Sequence, residues 1–97
     1  MNEAFINQAN TIIGNKVRKS QFNEILIGCV FDCEQDRSVM TVRRAVYGKD
    51  IWGDIVPMLI VTVQEKYITY YCQYTIEHFI KEFGADAMKH VLDEIHR

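Results

Sequence analysis

One candidate for metal chemistry lies near the C-terminus of the sequence. His90 and Glu94 are four residues apart, with Asp93 between them, and a His and a Glu at this spacing on a helix can share a metal ion. No H-E-x-x-H motif and no Cys/His ligand spacing accompanies them. A solvated helix face is therefore the favoured interpretation, and we expect neither a metal site nor a cofactor.

The three cysteines, Cys29, Cys33 and Cys72, include no C-x-x-C pair. An odd number of thiols without this motif is typical of reduced cysteines in a reducing compartment. A catalytic thiol needs a neighbouring base and a positive environment to lower its pKa, and the sequence does not show that either is nearby. We expect Cys29 and Cys72 to be buried, where cysteine behaves as a small hydrophobic residue.

Other catalytic signatures are absent from the sequence. It contains neither of the glycine-rich phosphate-binding motifs, G-x-x-x-x-G-K and G-x-G-x-x-G. Its two serines, Ser20 and Ser38, lie outside any G-x-S-x-G context, which argues against a serine hydrolase. The sequence therefore predicts a protein that is not an enzyme and has no catalytic residues.

A basic segment with aromatic neighbours carries the main functional signal. Residues 37–49 include four cations and no acidic residue. Arg43, Arg44 and Tyr47 on a strand, with Trp52 just beyond, could clamp phosphates or stack on bases. Nucleic acid is nevertheless disfavoured, because adjacent strand residues point to opposite faces, two aspartates follow in the same loop, and the net charge of the chain is −2.

The same segment is better explained as a protein-binding site. Trp, Tyr and Arg are enriched at the hot spots of protein interfaces, and here they fall within residues 43–52. The alternative for Trp52 is that it folds back and caps the end of the core. The predicted partner-binding residues are Arg43, Arg44, Tyr47, Trp52 and Asp54.

Hydrophobic periodicity predicts a helix at each end of the chain. Phe5, Ala9, Ile12 and Ile13 share one helix face, and this helix either stops at Gly14 or continues past it. Near the C-terminus, Thr75 is a plausible N-cap for a helix that runs to about Gly84. A further helix capped by Asp86 follows, unless one kinked helix crosses Gly84.

Between the helices the sequence predicts four strands, because β-branched and aromatic residues are enriched there. The strands cover residues 25–31, 39–47, 58–63 and 67–74. Residues 33–38 are polar and predict a turn. Residues 48–57, which contain two glycines and the single proline, predict the longest irregular loop.

These elements predict one α+β domain spanning residues 1–97, of order α-β-β-β-β-α-α. A four-stranded antiparallel sheet carries the N-terminal helix and one or two C-terminal helices on one face. The opposite sheet face, with Tyr67 and Tyr71, is left open and is expected to pack in a symmetric homodimer. The predicted core residues are Phe5, Ile12, Ile27, Cys29, Val61, Ile68, Ile80, Phe83, Val91 and Leu92.

Composition places the chain among globular proteins, with 48% hydrophobic and 25% charged residues. No signal peptide or membrane-spanning run is evident, so we expect a cytoplasmic protein. In size and composition it resembles small proteins that occupy a partner's surface, such as immunity proteins, phage-encoded inhibitors of host defence and adaptor subunits. The predicted function is a non-enzymatic protein-interaction module, an inhibitor or adaptor. The alternative is a small-ligand, nucleotide or nucleic-acid binder that uses Arg43, Arg44 and Tyr47.

Overall fold

A computed structural model of the chain describes residues 3–33 and 37–97. The described strands form one antiparallel sheet in which each strand pairs with the next one along the chain, and the predicted α+β class and order of elements are confirmed. The predicted turn at residues 33–38 is too long, because Cys33 and Ser38 are paired strand residues, and residues 34–36 lie outside the described residues. The elements are α1 (Glu3–Lys19), β1 (Glu24–Cys33), β2 (Ser38–Lys49), β3 (Ile55–Gln64), β4 (Thr69–Thr75), α2 (Ile76–Phe83) and α3 (Ala85–Ile95).

Helix α1 continues through Gly14, so the predicted alternative that it stops there is wrong. Its buried stripe, at helical spacing, faces the sheet. Gly14 is buried because the sheet approaches the helix backbone closely: a Cβ atom at this position would lie 2.9 Å from the Tyr47 hydroxyl and 3.2 Å from Cγ of Pro57. The buried residues of α1 are Ile6, Ala9, Ile13, Gly14 and Val17.

Strands β2 and β3 form a long hairpin, and the predicted irregular loop at residues 48–57 is wrong. Tyr47 pairs with Pro57, and Lys49 pairs with Ile55. The turn is therefore confined to residues 50–54. Glycine and proline usually interrupt strands, but here cross-strand pairing and packing against α1 extend both strands through them.

The C-terminal helices meet at Gly84, as the sequence predicts. The Thr75 hydroxyl accepts a hydrogen bond from the His78 backbone amide at 3.1 Å and caps α2. Gly84 has φ 96°, a left-handed value that favours glycine, and it separates the two helices. Asp86 lies in the first turn of α3 and not at its N-cap, which is Gly84, so that detail of the prediction is wrong.

The core lies between the three helices and one face of the sheet. Of the ten predicted core residues, five are buried, and Phe5, Ile12 and Ile27 pack against the core while half-buried. Ile68 is 60% exposed because it lies in the turn before β4, and Phe83 is 36% exposed at the end of α2, so these two predictions are wrong. The five confirmed residues are Cys29, Val61, Ile80, Val91 and Leu92.

Within the described residues, no helix is both long and apolar enough to cross a membrane.

Candidate partner-binding surface

Arg43 and Arg44 lie on the same face of the sheet, which corrects the prediction that they point to opposite faces. The pairing of β2 with β3 shifts by one residue between Val42 and Arg44. Such a β-bulge places an extra residue in one strand and changes the alternation of side chains. Val42 and Ala45 are both buried against the helices, whereas the two arginines between them are exposed. Both arginines therefore lie on the face without helices, here called the open face.

The two arginines line a shallow concavity of about 500 Å³ on the open face, together with Tyr71 of β4. Nε of Arg43 donates a hydrogen bond to Oγ1 of Thr62 at 3.0 Å. Nη1 of Arg44 lies 3.4 Å from a carboxylate oxygen of Glu24. Because both side chains of this ion pair are solvent-accessible, the pair contributes little to stability and leaves Arg44 available for contact.

Tyr47 lies on the opposite side of the sheet from the arginines. Its hydroxyl donates a hydrogen bond to the backbone carbonyl of Gly14 at 3.0 Å, and its ring is half-buried against the core. Tyr47 therefore joins the sheet to α1. The structure does not bring it together with Arg43 and Arg44, and Tyr71 is the tyrosine that lies beside them.

The turn between β2 and β3 presents Trp52 to solvent. The indole side chain is 79% exposed, and its neighbour Ile51 is 88% exposed. Trp52 therefore does not fold back to cap the core. Large apolar side chains this exposed at the tip of a hairpin are typical of interaction sites when they cluster.

Asp50 organises this turn through its carboxylate. One oxygen, Oδ1, accepts hydrogen bonds from the backbone amides of Trp52 at 3.0 Å and Asp54 at 2.9 Å. The Asp50 amide donates to the Asp54 carbonyl at 2.9 Å, and the Gly53 amide donates to the Asp50 carbonyl at 3.1 Å. Gly53 has φ 85°, which glycine accommodates without strain. Trp52 thus projects from a turn of defined shape.

A groove of about 510 Å³ adjoins the exposed tip. Met58, Gln73 and Thr75 line it on the open face of β3 and β4, while Lys49 and Lys81 are among its charged residues. Met58 is buried but stands outside the core cluster, so it belongs to this groove. Gln73 pairs with Ile60, which lines the arginine concavity, and the two depressions are therefore neighbours on one surface.

Removing the Asp50 carboxylate is expected to loosen the turn. In Asp50→Ala, the Trp52 and Asp54 amides lose their acceptor, so their hydrogen exchange should accelerate while exchange in the central strands changes little. The global free energy of unfolding should fall by only about 1 kcal/mol, as for a typical hydrogen-bonding group. Asp54→Ala is the matched control, because the Asp54 side chain accepts none of these bonds. Equal hydrogen-exchange rates of the Trp52 and Asp54 amides in both variants would contradict this role of Asp50.

The other candidates for chemistry fall elsewhere in the fold. His90 stacks edge-on against Phe31, with ring centroids 5.4 Å apart. Burial and, secondarily, the Glu94 carboxylate raise the pKa of the Cys29 thiol, so the thiol stays protonated at neutral pH. Cys29 is buried as predicted, whereas Cys72 is half-buried. The side chain of Cys33 lies outside the described residues.

The described residues contain no group of three or more His, Cys, Asp or Glu side chains that could hold a metal ion. The chain matches no protein-family model, and neither the curated proteins nor the solved structures give a match.

Two exposed residues of this surface, Leu26 and Ile51, were not predicted from the sequence, whereas Tyr71 was predicted on the open face but not beside the arginines. Leu26 and Tyr71 flank the arginines, and Ile51 stands beside Trp52. A glycine inside a strand can mark a bulge, and Gly28, with φ 77°, lies where the pairing of β1 shifts register. That glycine marks the irregularity of β1, but not the separate register shift of β2 at Arg43.

Proposed function

We propose that this protein is a non-enzymatic protein-interaction module, an inhibitor or adaptor, whose partner contacts the turn between β2 and β3. The observation that supports this proposal is the 79% exposure of Trp52 on a turn fixed by Asp50. Tryptophan is enriched among interface residues with large binding contributions, and such anchors are surrounded by contacts that exclude water. A preorganised anchor also loses less entropy on binding.

The groove beside the tip extends this surface. Its apolar floor at Met58 can receive a side chain of the partner, while Ile51 and Trp52 enter the partner's own surface. Asp54 lies in the same turn and Arg44 lines the neighbouring concavity, so both would act as rim charges, which steer association more than they add affinity. Tyr47 supports the surface indirectly, because it fixes β2 against α1.

Site-specific crosslinking tests this proposal. A photoreactive benzophenone side chain is introduced at Trp52 in one variant and at Tyr67 in a matched variant, and each is irradiated in cells that make the protein. Tyr67 is also highly exposed but lies in the turn between β3 and β4, at the other end of the sheet. One discrete protein adduct at position 52 and none at position 67 is the expected result. Adducts equally abundant at both positions would contradict a site at the β2–β3 turn.

A second copy of the chain is proposed to cover the middle of the open face. Leu26, Val30 and Tyr71 are exposed apolar side chains there, on a sheet that has helices on its other face. A two-fold contact between two such faces would bury them without adding an element. Light scattering at tens of micromolar should therefore give twice the mass of one chain.

The dimer test has its own control. Leu26→Glu should return the mass to that of one chain, because the new charges would be buried at the contact. Phe22→Glu changes a residue that is equally exposed but lies outside the sheet, and it should leave the dimer intact. A wild-type protein with the mass of one chain would overturn the dimer.

A second candidate function rests on the concavity formed by Arg43, Arg44 and Tyr71. Two guanidinium groups beside an aromatic ring suit an anionic ligand with a flat base, such as a nucleotide. If this function holds, ATP should bind with an affinity that falls steeply as salt increases, and Arg43→Ala with Arg44→Ala should abolish binding. Calorimetry that shows no heat of binding at millimolar ATP would remove this candidate.

A further inference from the structure

The helix-bearing side of the molecule contains a cavity that the proposed partner site does not use. Its volume is about 410 Å³, within the range of small-molecule sites. It lies beside Gly84, where α2 ends and α3 begins. Trp52 projects from the other end of the sheet, since the turns at the two ends of β3 point in opposite directions.

Four aromatic side chains line this cavity. Tyr74 and Phe83 meet edge to face, with centroids 5.4 Å apart and planes at 80°. Phe83 is partly exposed, which has no explanation in the packing of the core but suits a wall of an open cavity. The floor is a single row of register partners across all four strands: Phe31, Met40, Val63 and Tyr70.

The charged side chains among the described lining residues of the cavity are all acidic. Asp32, Glu65 and Glu82 line it, and none of the described lining residues is Lys or Arg. The Tyr70 hydroxyl donates a hydrogen bond to Oε1 of Glu65 at 3.2 Å, which holds that carboxylate at the rim.

Tyr74 adds no further charge. Burial, the neighbouring Cys72 thiol and the Glu82 carboxylate raise the pKa of its hydroxyl, so the ring is neutral at pH 7. The cavity therefore combines neutral aromatic rings with three acidic side chains.

A metal ion does not fit this arrangement, because no three acidic, histidine or cysteine side chains among the described residues converge on one point. A diffuse positive charge does fit. The faces of aromatic rings attract cations, and cages of aromatic rings are a known means of binding quaternary ammonium groups. We propose that this cavity binds a small organic cation whose charge is carried by an alkyl-substituted ammonium group.

Choline and its neutral isostere test the proposal. Choline and 3,3-dimethyl-1-butanol have the same shape and differ in charge, and each is titrated into the full chain while NMR follows the ring signals of Tyr74 and Phe83. Choline should produce saturable shifts of these ring signals and should not shift the signal of the Trp52 indole. The neutral analogue should bind about tenfold more weakly, which is 1.4 kcal/mol and lies within the range of a cation–π contribution.

Substitutions on α2 test whether choline binds in this cavity. Glu82→Gln removes a charge without changing shape, and Phe83→Leu keeps an apolar side chain but removes a ring; each should weaken choline binding severalfold. Glu77→Gln is the matched control, because Glu77 pairs with Lys81 and does not line this cavity. Equal affinity for choline and the neutral analogue, or no saturable shift at millimolar choline, would overturn the proposal. Neither outcome bears on the partner site at Trp52.

Discussion

Replacing Phe79 by Ala is expected to lower the free energy of unfolding by about 3–5 kcal/mol. Phe79 is fully buried and is the largest of the fully buried side chains. Its ring contacts Phe83 at 4.9 Å and Tyr74 at 6.2 Å between centroids, so truncation would remove both apolar burial and ring contacts and would leave a cavity. Urea denaturation monitored by circular dichroism measures the loss.

Phe83→Ala is the matched control for this prediction. The two phenylalanines lie on one helix, four residues apart, and hydrophobic periodicity alone gives them the same role. Because Phe83 is 36% exposed, its truncation should lower the free energy of unfolding by about 1–2 kcal/mol, which is less than for a fully buried ring. A loss for Phe83→Ala as large as that for Phe79→Ala would contradict the packing described for α2.

The order of the elements could be predicted because the apolar periods of helices and strands are distinct. The helix from Ile76 and the alternation along β4 both follow from spacing, and the Thr75 cap follows from residue type. The ends of strands could not be predicted in the same way. Gly48 and Pro57 carry the composition of a loop, but tertiary packing of the hairpin overrides it.

The candidate site was predicted in part. Trp52 and Asp54 lie at the turn, as the residue types indicate, and both arginines are exposed. Tyr47 was misplaced and the arginines were assigned to two faces, because both inferences assumed strict alternation along β2. One extra residue in a strand reverses the face of every residue beyond it. The residue types around Arg43 do not reveal that a bulge lies there.

Replacing Trp52 by Ala is expected to weaken partner binding by at least about thirty-fold, which corresponds to 2 kcal/mol or more for an anchor residue. The indole has few intramolecular contacts to lose, since most of its surface is exposed. Stability should therefore change by no more than about 0.5 kcal/mol, as for other surface substitutions. The loss should appear mainly in the dissociation rate, as is usual when interface contacts are removed.

The most direct measurement is the dissociation constant of the partner that crosslinks at position 52, determined for the wild type, Trp52→Ala and Tyr67→Ala. Circular dichroism and urea denaturation first establish that both variants are folded. The proposed site predicts that Trp52→Ala lowers the affinity for the partner by about thirty-fold or more. It predicts that Tyr67→Ala changes this affinity by no more than about twofold. A folded Trp52→Ala variant that binds the partner as tightly as the wild type would contradict the site and, with it, the proposed function of the β2–β3 turn.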